Sequence, residues 1–300
     1  MMARSDYGED KMIQQDTARI LAEELGWTSI NAFDETEGDP TLLGRNSRTE
    51  VVLTRDVRLA LERLNPGLPN AAYALALEQV LAHDRSKALV AINQDKHELL
   101  RNGVLVKYRD AAGRTAEKRL SLIDFDTPAN NDFKAVRELW VRGPTYTRRP
   151  DVVGFVNGLP LVFIELKRLD VSADNAYKKN YRDYRGRDAS ARQPAVAGSI
   201  EQLFHWNQFV VLSNGEKATF GSITATAEHF YQWKRLAEED PEPKQTTMQL
   251  RLLLRGMMDK ARLLDIVENF VLFDASEGAV NKIVARNHQY LGVNRVIARL

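Results

Sequence analysis

Cysteine is absent from this 300-residue chain. That excludes disulfides, thiolate metal sites and cysteine nucleophiles. No apolar run approaches the roughly 18 residues a membrane-spanning helix needs. The polar start, MMARSDYGEDK, has no apolar signal core, so the expected location is the cytoplasm. Net charge is close to nil at +1, which removes any global attraction to nucleic acid and leaves only local charged surfaces. The five histidines (His83, His97, His205, His229, His288) lack metal-ligand spacing. No Gly-x-x-x-x-Gly-Lys-Ser/Thr phosphate loop occurs, so these residues alone are not expected to hydrolyse ATP. There is no internal repeat and no low-complexity tract.

What is present is ordinary for a globular protein: 44% apolar and 28% charged residues. Periodicity predicts helices over residues 11–25, stopped by Gly26, then over 56–64, 70–82, 131–140, 174–184, 200–206, 247–273 and 282–300. Strands are expected over 103–108 and 117–124 around the turn Asp110-Ala-Ala-Gly113, and over 209–212 and 220–224. Residues 31–48 read as a long loop, and the charged, proline-containing stretch 240–244 as a linker. The last helix ends at Leu300 without a cap signal, as at a truncation point. Trp27, Trp140, Trp206 and Trp233 are most simply core anchors, and Ser213-Asn214-Gly215 a tight turn.

The chemistry concentrates between Arg149 and Lys167 (RPDVVGFVNGLPLVFIELK). Asp151 precedes one apolar run, and Glu165-Leu166-Lys167 closes the next. Charged groups at the ends of buried strands need a partner or a metal, because desolvating a lone carboxylate is very costly. Asp151, Glu165 and Lys167 therefore suggest a divalent-metal site and phosphodiester chemistry. Mg²⁺ would take one oxygen from each acid at about 2.1 Å, with the Leu166 carbonyl and waters completing the shell. Lys167 would orient the attacking water or stabilise charge on the phosphorane. A cross-strand ion pair worth about 0–1 kcal/mol describes the same residues without chemistry.

Asn157-Gly158 is a hairpin signal, and it sets a condition. A plain two-residue loop pairs Asp151 with Ile164, which sends Asp151 and Glu165 to opposite faces of the sheet. The metal reading requires an odd offset, from a three-residue loop or a bulge before Glu165.

At these residues the chain resembles the PD-(D/E)xK nuclease superfamily, and more narrowly the N-terminal nuclease region of type I restriction enzyme R subunits (HsdR). Leu43-Gly-Arg-Asn-Ser with Glu50-Val-Val-Leu, Leu64-Asn-Pro, Arg148-Arg-Pro-Asp, Phe155-Val-Asn-Gly-Leu-Pro-Leu, Val211-Leu-Ser-Asn-Gly and His288-Gln-Tyr resemble that family in the same order, from about residue 9 to the end. The resemblance implies that Asp151 and Glu165 bind metal and that Lys167 is catalytic. It implies a Gln-x-x-x-Tyr motif aiding cleavage, matched here by Asn180 and Tyr184 with asparagine in place of glutamine. An acid on the first helix often completes such sites; Asp16, flanked by Gln14 and Gln15, is what this helix offers. Gln289 resembles an adenine-contacting glutamine that precedes an ATP-driven motor, used only in the full-length subunit.

The basic stretch around Lys178, Lys179 and Arg182, with Tyr177, Tyr181 and Tyr184, suits a DNA backbone. A solvated helix face fits it too. Arg148 and Arg149 are further phosphate candidates, or positional ones.

The expected fold is α/β: a mixed central sheet of about five strands flanked by helices, with a restriction-endonuclease-like core and an N-terminal helical elaboration. Residues 1–240 are expected to form an endonuclease domain with its core near 100–225. Residues 241–300 would be a linker and helical lead-in to an absent helicase-like motor. The expected activity is that of a type I site-specific deoxyribonuclease, hydrolysing double-stranded DNA with Mg²⁺, with ATP used only by the missing motor. The expected partners are methyltransferase and specificity subunits, and no membrane. The alternatives are a non-catalytic DNA-binding or subunit-docking module with a nuclease-like fold, and another nuclease of the superfamily such as a junction resolvase.

Overall fold

The computed structural model describes residues 9–168, 181–186, 199–241, 248–276 and 278–300. Its centre is a mixed six-stranded sheet in the order β1-β4-β7-β8-β9-β10. The strands are β1 (Thr28–Asn31), β4 (Phe133–Arg137), β7 (Val152–Val156), β8 (Leu159–Leu166), β9 (Phe209–Ser213) and β10 (Ala218–Gly221). β1 runs parallel to β4 and β8 parallel to β9, and the remaining pairs are antiparallel. Two-stranded ribbons sit outside it: β2 (Val104–Arg109) with β3 (Thr115–Leu120), β5 (Val141–Arg142) with β6 (Thr147–Arg148), and β11 (Val271–Asp274) with β12 (Asn281–Val284).

β7 and β8 are buried at every position, as their unbroken apolar runs require of strands covered on both faces. One face carries Trp27, Val152, Val162, Ile164, Val211 and Trp233; the other carries Val153, Phe155, Phe163, Val210, Leu212 and Tyr181. The first face is covered in part by α1 (Glu9–Arg19), α2 (Thr54–Leu64), α3 (Asn70–Leu81), α6 (Gln249–Met257) and α7 (Lys260–Asn269). Trp27 ties it together, donating its indole N–H to the Met258 carbonyl at 2.9 Å and meeting Phe133 edge-on at 5.2 Å. α1 runs into a π turn, Ile20–Glu24, and the chain turns away at Gly26, φ 68°, the left-handed conformation a helix stop favours.

Several elements differ from the sequence expectations. Residues 131–140 do not form a helix: Phe133–Arg137 is β4, sandwiched between β1 and β7. Five residues with two periodicities in play are decided by the neighbours that supply hydrogen bonds, not by propensity. β12 replaces the start of the last helix, because Lys282 and Val284 alternate inward; α8 covers only Asn287–Ile297. Residues 247–273 divide into α6, α7 and β11, the break coming where Asp259 accepts from the Arg262 N–H as an N-cap. Residues 200–206 shrink to a 3₁₀ turn, Glu201–Phe204. α4 (Leu89–Asn102) was not anticipated. The 174–184 helix falls largely outside the described residues; of it, α5 (Arg182–Arg185) remains. Trp27, Trp206 and Trp233 are buried, but Trp140 is half-exposed.

Candidate active site

The hairpin turn Asn157-Gly158 has φ of 50° and 82°, the two-residue geometry that its sequence favours. Asn157 is 1% exposed. Its side chain donates to Leu122 O and Asn131 Oδ1 and accepts from Asp132 N and Arg63 Nη2, at 2.8–2.9 Å. The turn is therefore fixed, and Val156 faces Leu159 and Phe155 faces Pro160. The register then steps by one, so that Gly154 faces Val162, Val153 faces Phe163 and Val152 faces Ile164. Leu161 is the extra residue of a β-bulge. Leu161 and Val162 accordingly lie in the same core layer, and the Leu161 carbonyl accepts from Gln208 N at 2.6 Å. Pro160, which has no N–H to give the ladder, adjoins the irregularity, as prolines in strands do.

This is the odd offset that the metal reading required. Carrying the ladder one step further sets Asp151 across from Glu165, and the alternation of core layers puts both on one face. Asp151 Oδ2 accepts from Leu166 N at 2.7 Å, and Lys167 Nζ donates to Glu165 Oε1 at 3.0 Å. Glu165 is 2% exposed. Burial pushes the Asp151 carboxyl well above the usual carboxylate range; the Glu165 charge adds to this, while the Leu166 N–H and Lys167 oppose it. A desolvated carboxyl whose proton affinity is raised by a second carboxylate beside it is the kind of donor a hard divalent cation would neutralise. By this measure the residues fit one. Among the described residues no group of three or more His, Asp or Glu is arranged to hold a metal.

Three further residues converge here. Tyr184 is half-buried and packs edge-on against Phe163 at 6.0 Å. Burial, then Glu165 and Asp151, raise its phenol pKa above the ordinary tyrosine value. The Arg148 guanidinium lies over its ring at 5.8 Å. Gln14, 4% exposed on α1, donates to the Asp151 carbonyl at 3.0 Å. That carbonyl also accepts from the Glu138 N–H at 3.2 Å. Of the first-helix candidates, Gln14 is thus the one in contact with the site. Asp16 instead pairs with Arg19 at the surface, and Gln15 is exposed.

Sequence reasoning gave Gln14 no role and did not single out Glu138. A buried polar residue on the inner face of an amphipathic helix was the available signal for the first; the second had none. Arg182 is exposed. Lys178, Lys179, Asn180 and Tyr177 lie outside the described residues. Gln289 is exposed, and its Oε1 accepts from Arg286 N at 2.8 Å at the start of α8.

Residues 6–229 match the family described as type I restriction enzyme R protein N terminus. The chain is 36% identical over 258 residues to the type I restriction enzyme HindI endonuclease subunit of Haemophilus influenzae, an alignment covering 84% of this chain and 23% of that protein. It is 25% identical over 185 residues to the EcoprrI endonuclease subunit of Escherichia coli, covering 61% and 54%. The chain thus spans about a quarter of the length of the HindI relative. It belongs to the N-terminal family of type I restriction enzyme R proteins.

Proposed function

We propose that this chain is the nuclease portion of a type I restriction R subunit, with a PD-(D/E)xK core, and that it hydrolyses phosphodiester bonds of double-stranded DNA with Mg²⁺. The observation that supports it most is the bulge at Leu161, which brings Asp151 and Glu165 to one face beside Lys167. Asp151 and Glu165 hold the ion, which when bound polarises the phosphate and acidifies a water. Lys167, parked on Glu165, orients the nucleophile and stabilises the charge that develops on phosphorus. Tyr184, with Arg148 over its ring, contacts the phosphate backbone next to the acids. Arg182, Lys178, Lys179 and Asn180 extend that contact. Residues 1–240 form the nuclease unit and 241–300 lead to an ATP-driven motor, where Gln289 meets the nucleotide. Methyltransferase and specificity subunits choose the site.

The test is cleavage of plasmid DNA by the assembled enzyme. Asp151→Asn, Glu165→Gln and Lys167→Ala should each lower cleavage at least about 100-fold while DNA-dependent ATP turnover persists. Undiminished cleavage by Lys167→Ala would remove the catalytic assignment.

A further inference from the structure

A carboxylate pair built for a divalent cation attracts any other cation within reach, and Arg149 stands two residues from Asp151. A guanidinium engages carboxylates through several N–H groups at once, so Arg149 folded onto Asp151 or Glu165 would occupy the cation's place. The structure holds it elsewhere. Arg149 Nε lies 2.7 Å from Glu138 Oε2. The guanidinium rests over the rings of Trp140 at 5.0 Å and Phe33 at 5.2 Å. Trp140 is itself fixed by donating to the Phe33 carbonyl at 3.0 Å.

Glu138 sits at a cost. Its φ is 56°, one of two positive values among non-glycine residues in the described chain, and a left-handed backbone penalises a residue with a long side chain. Its side chain is 11% exposed, and its charge further disfavours ionisation of Asp151. Glycine or asparagine would serve the backbone better, and a neutral residue would serve Asp151 better. What remains for the carboxylate to do is hold Arg149.

We propose that Glu138 is a positioning residue that keeps the Arg149 guanidinium off the Asp151–Glu165 carboxylates and so keeps the cation site open. The inference rests on the cation role proposed for those two acids. With Glu138 neutralised, Arg149 is released toward the pair and competes with the ion.

The experiment is Mn²⁺ binding to the intact protein, followed by electron paramagnetic resonance and calorimetry, with no DNA present. Binding to Glu138→Gln should be about tenfold weaker, the factor set by one charge-assisted contact of about 1.4 kcal/mol. In Glu138→Gln/Arg149→Met, where nothing is left to compete, it should return to within about twofold of the parent. Glu138→Asn, which tolerates the positive φ, replaces Glu138→Gln if that variant does not fold. Unchanged binding in the single variant, or a double variant as weak as the single, overturns the proposal while leaving the metal site intact. If the parent shows no binding that Asp151→Asn abolishes, the cation role itself fails and the inference fails with it.

Discussion

Single side chains in this protein are set by burial more than by charge count. His97 shows it. It is 2% exposed, its Nδ1 meets Gln208 Oε1 at 2.9 Å, and burial followed by the Lys282 charge lowers its pKa to about 4. The bond to an acceptor oxygen requires the Nδ1–H tautomer. Because the folded pKa lies below the unfolded value near 6.5, the unfolded chain binds the proton first. His97 therefore contributes stability that is present above about pH 6.5 and lost as pH falls toward 4, about 3 kcal/mol in all. Urea unfolding between pH 7 and 4.5 should show this slope, and His97→Asn should flatten it. At the acid pair the sign is reversed. Asp151→Asn removes one of two repelling buried charges and keeps an acceptor for Leu166 N. Its thermal midpoint in metal-free buffer should match or exceed the parent's, and Mn²⁺ should no longer raise it. A clear fall in that midpoint would mean that the carboxylates do not repel.

Among the elements, the β7–β8 hairpin carries the site, and Asn157 carries the hairpin. Asn157→Ala loses four side-chain hydrogen bonds and a residue suited to φ 50°. We expect a loss of about 3 kcal/mol or more in denaturant unfolding. Gly154→Ala should cost about 1–3 kcal/mol, since a Cβ there would stand 3.2 Å from Val162 and 3.3 Å from Trp27 and Met258.

The hairpin, the helix stop at Gly26 and the apolar strands β7, β8 and β9 were legible because each rests on local chemistry: turn dihedrals, chain entropy and continuous apolar runs. β4 was not, since Phe133–Arg137 is too short for its period to outvote a helical reading, and its strand identity comes from neighbours far along the chain. The bulge was legible only as a requirement, although Pro160 marks its place. Glu138 was invisible, because a left-handed glutamate is a product of tertiary packing and leaves no trace in composition.

At the scale of the molecule, a buried lysine helps to fasten the C-terminal ribbon to the rest of the chain, beside the Thr224 hydroxyl, which bonds the Lys282 backbone, and the core residues Val271 and Val284. Lys282 on β12, 2% exposed, donates to Asn93 Oδ1 at 2.8 Å and to the Asn207 carbonyl at 2.6 Å. Asn93, on α4, in turn donates to the carbonyls of Phe204, His205 and Asn207. Lys282→Met leaves the buried Asn93 Oδ1 without its lysine donor and the Asn207 carbonyl with Asn93 alone, and should cost about 2–4 kcal/mol. Amide exchange should quicken in β12 and α4 together; quickening confined to β12 would show that the two are not coupled.

The bulge at Leu161 has an evolutionary corollary. Ordinary point changes around the hairpin leave the side-chain parity of β8 untouched, so the geometry of the acidic pair tolerates drift in sequence. Loss of the Leu161 codon would also be borne, since the remaining residues pair as before in a regular ladder, whereas gain of one residue in β8 with a single bulge kept would turn Glu165 and Lys167 together to the reverse side of the sheet, away from Asp151.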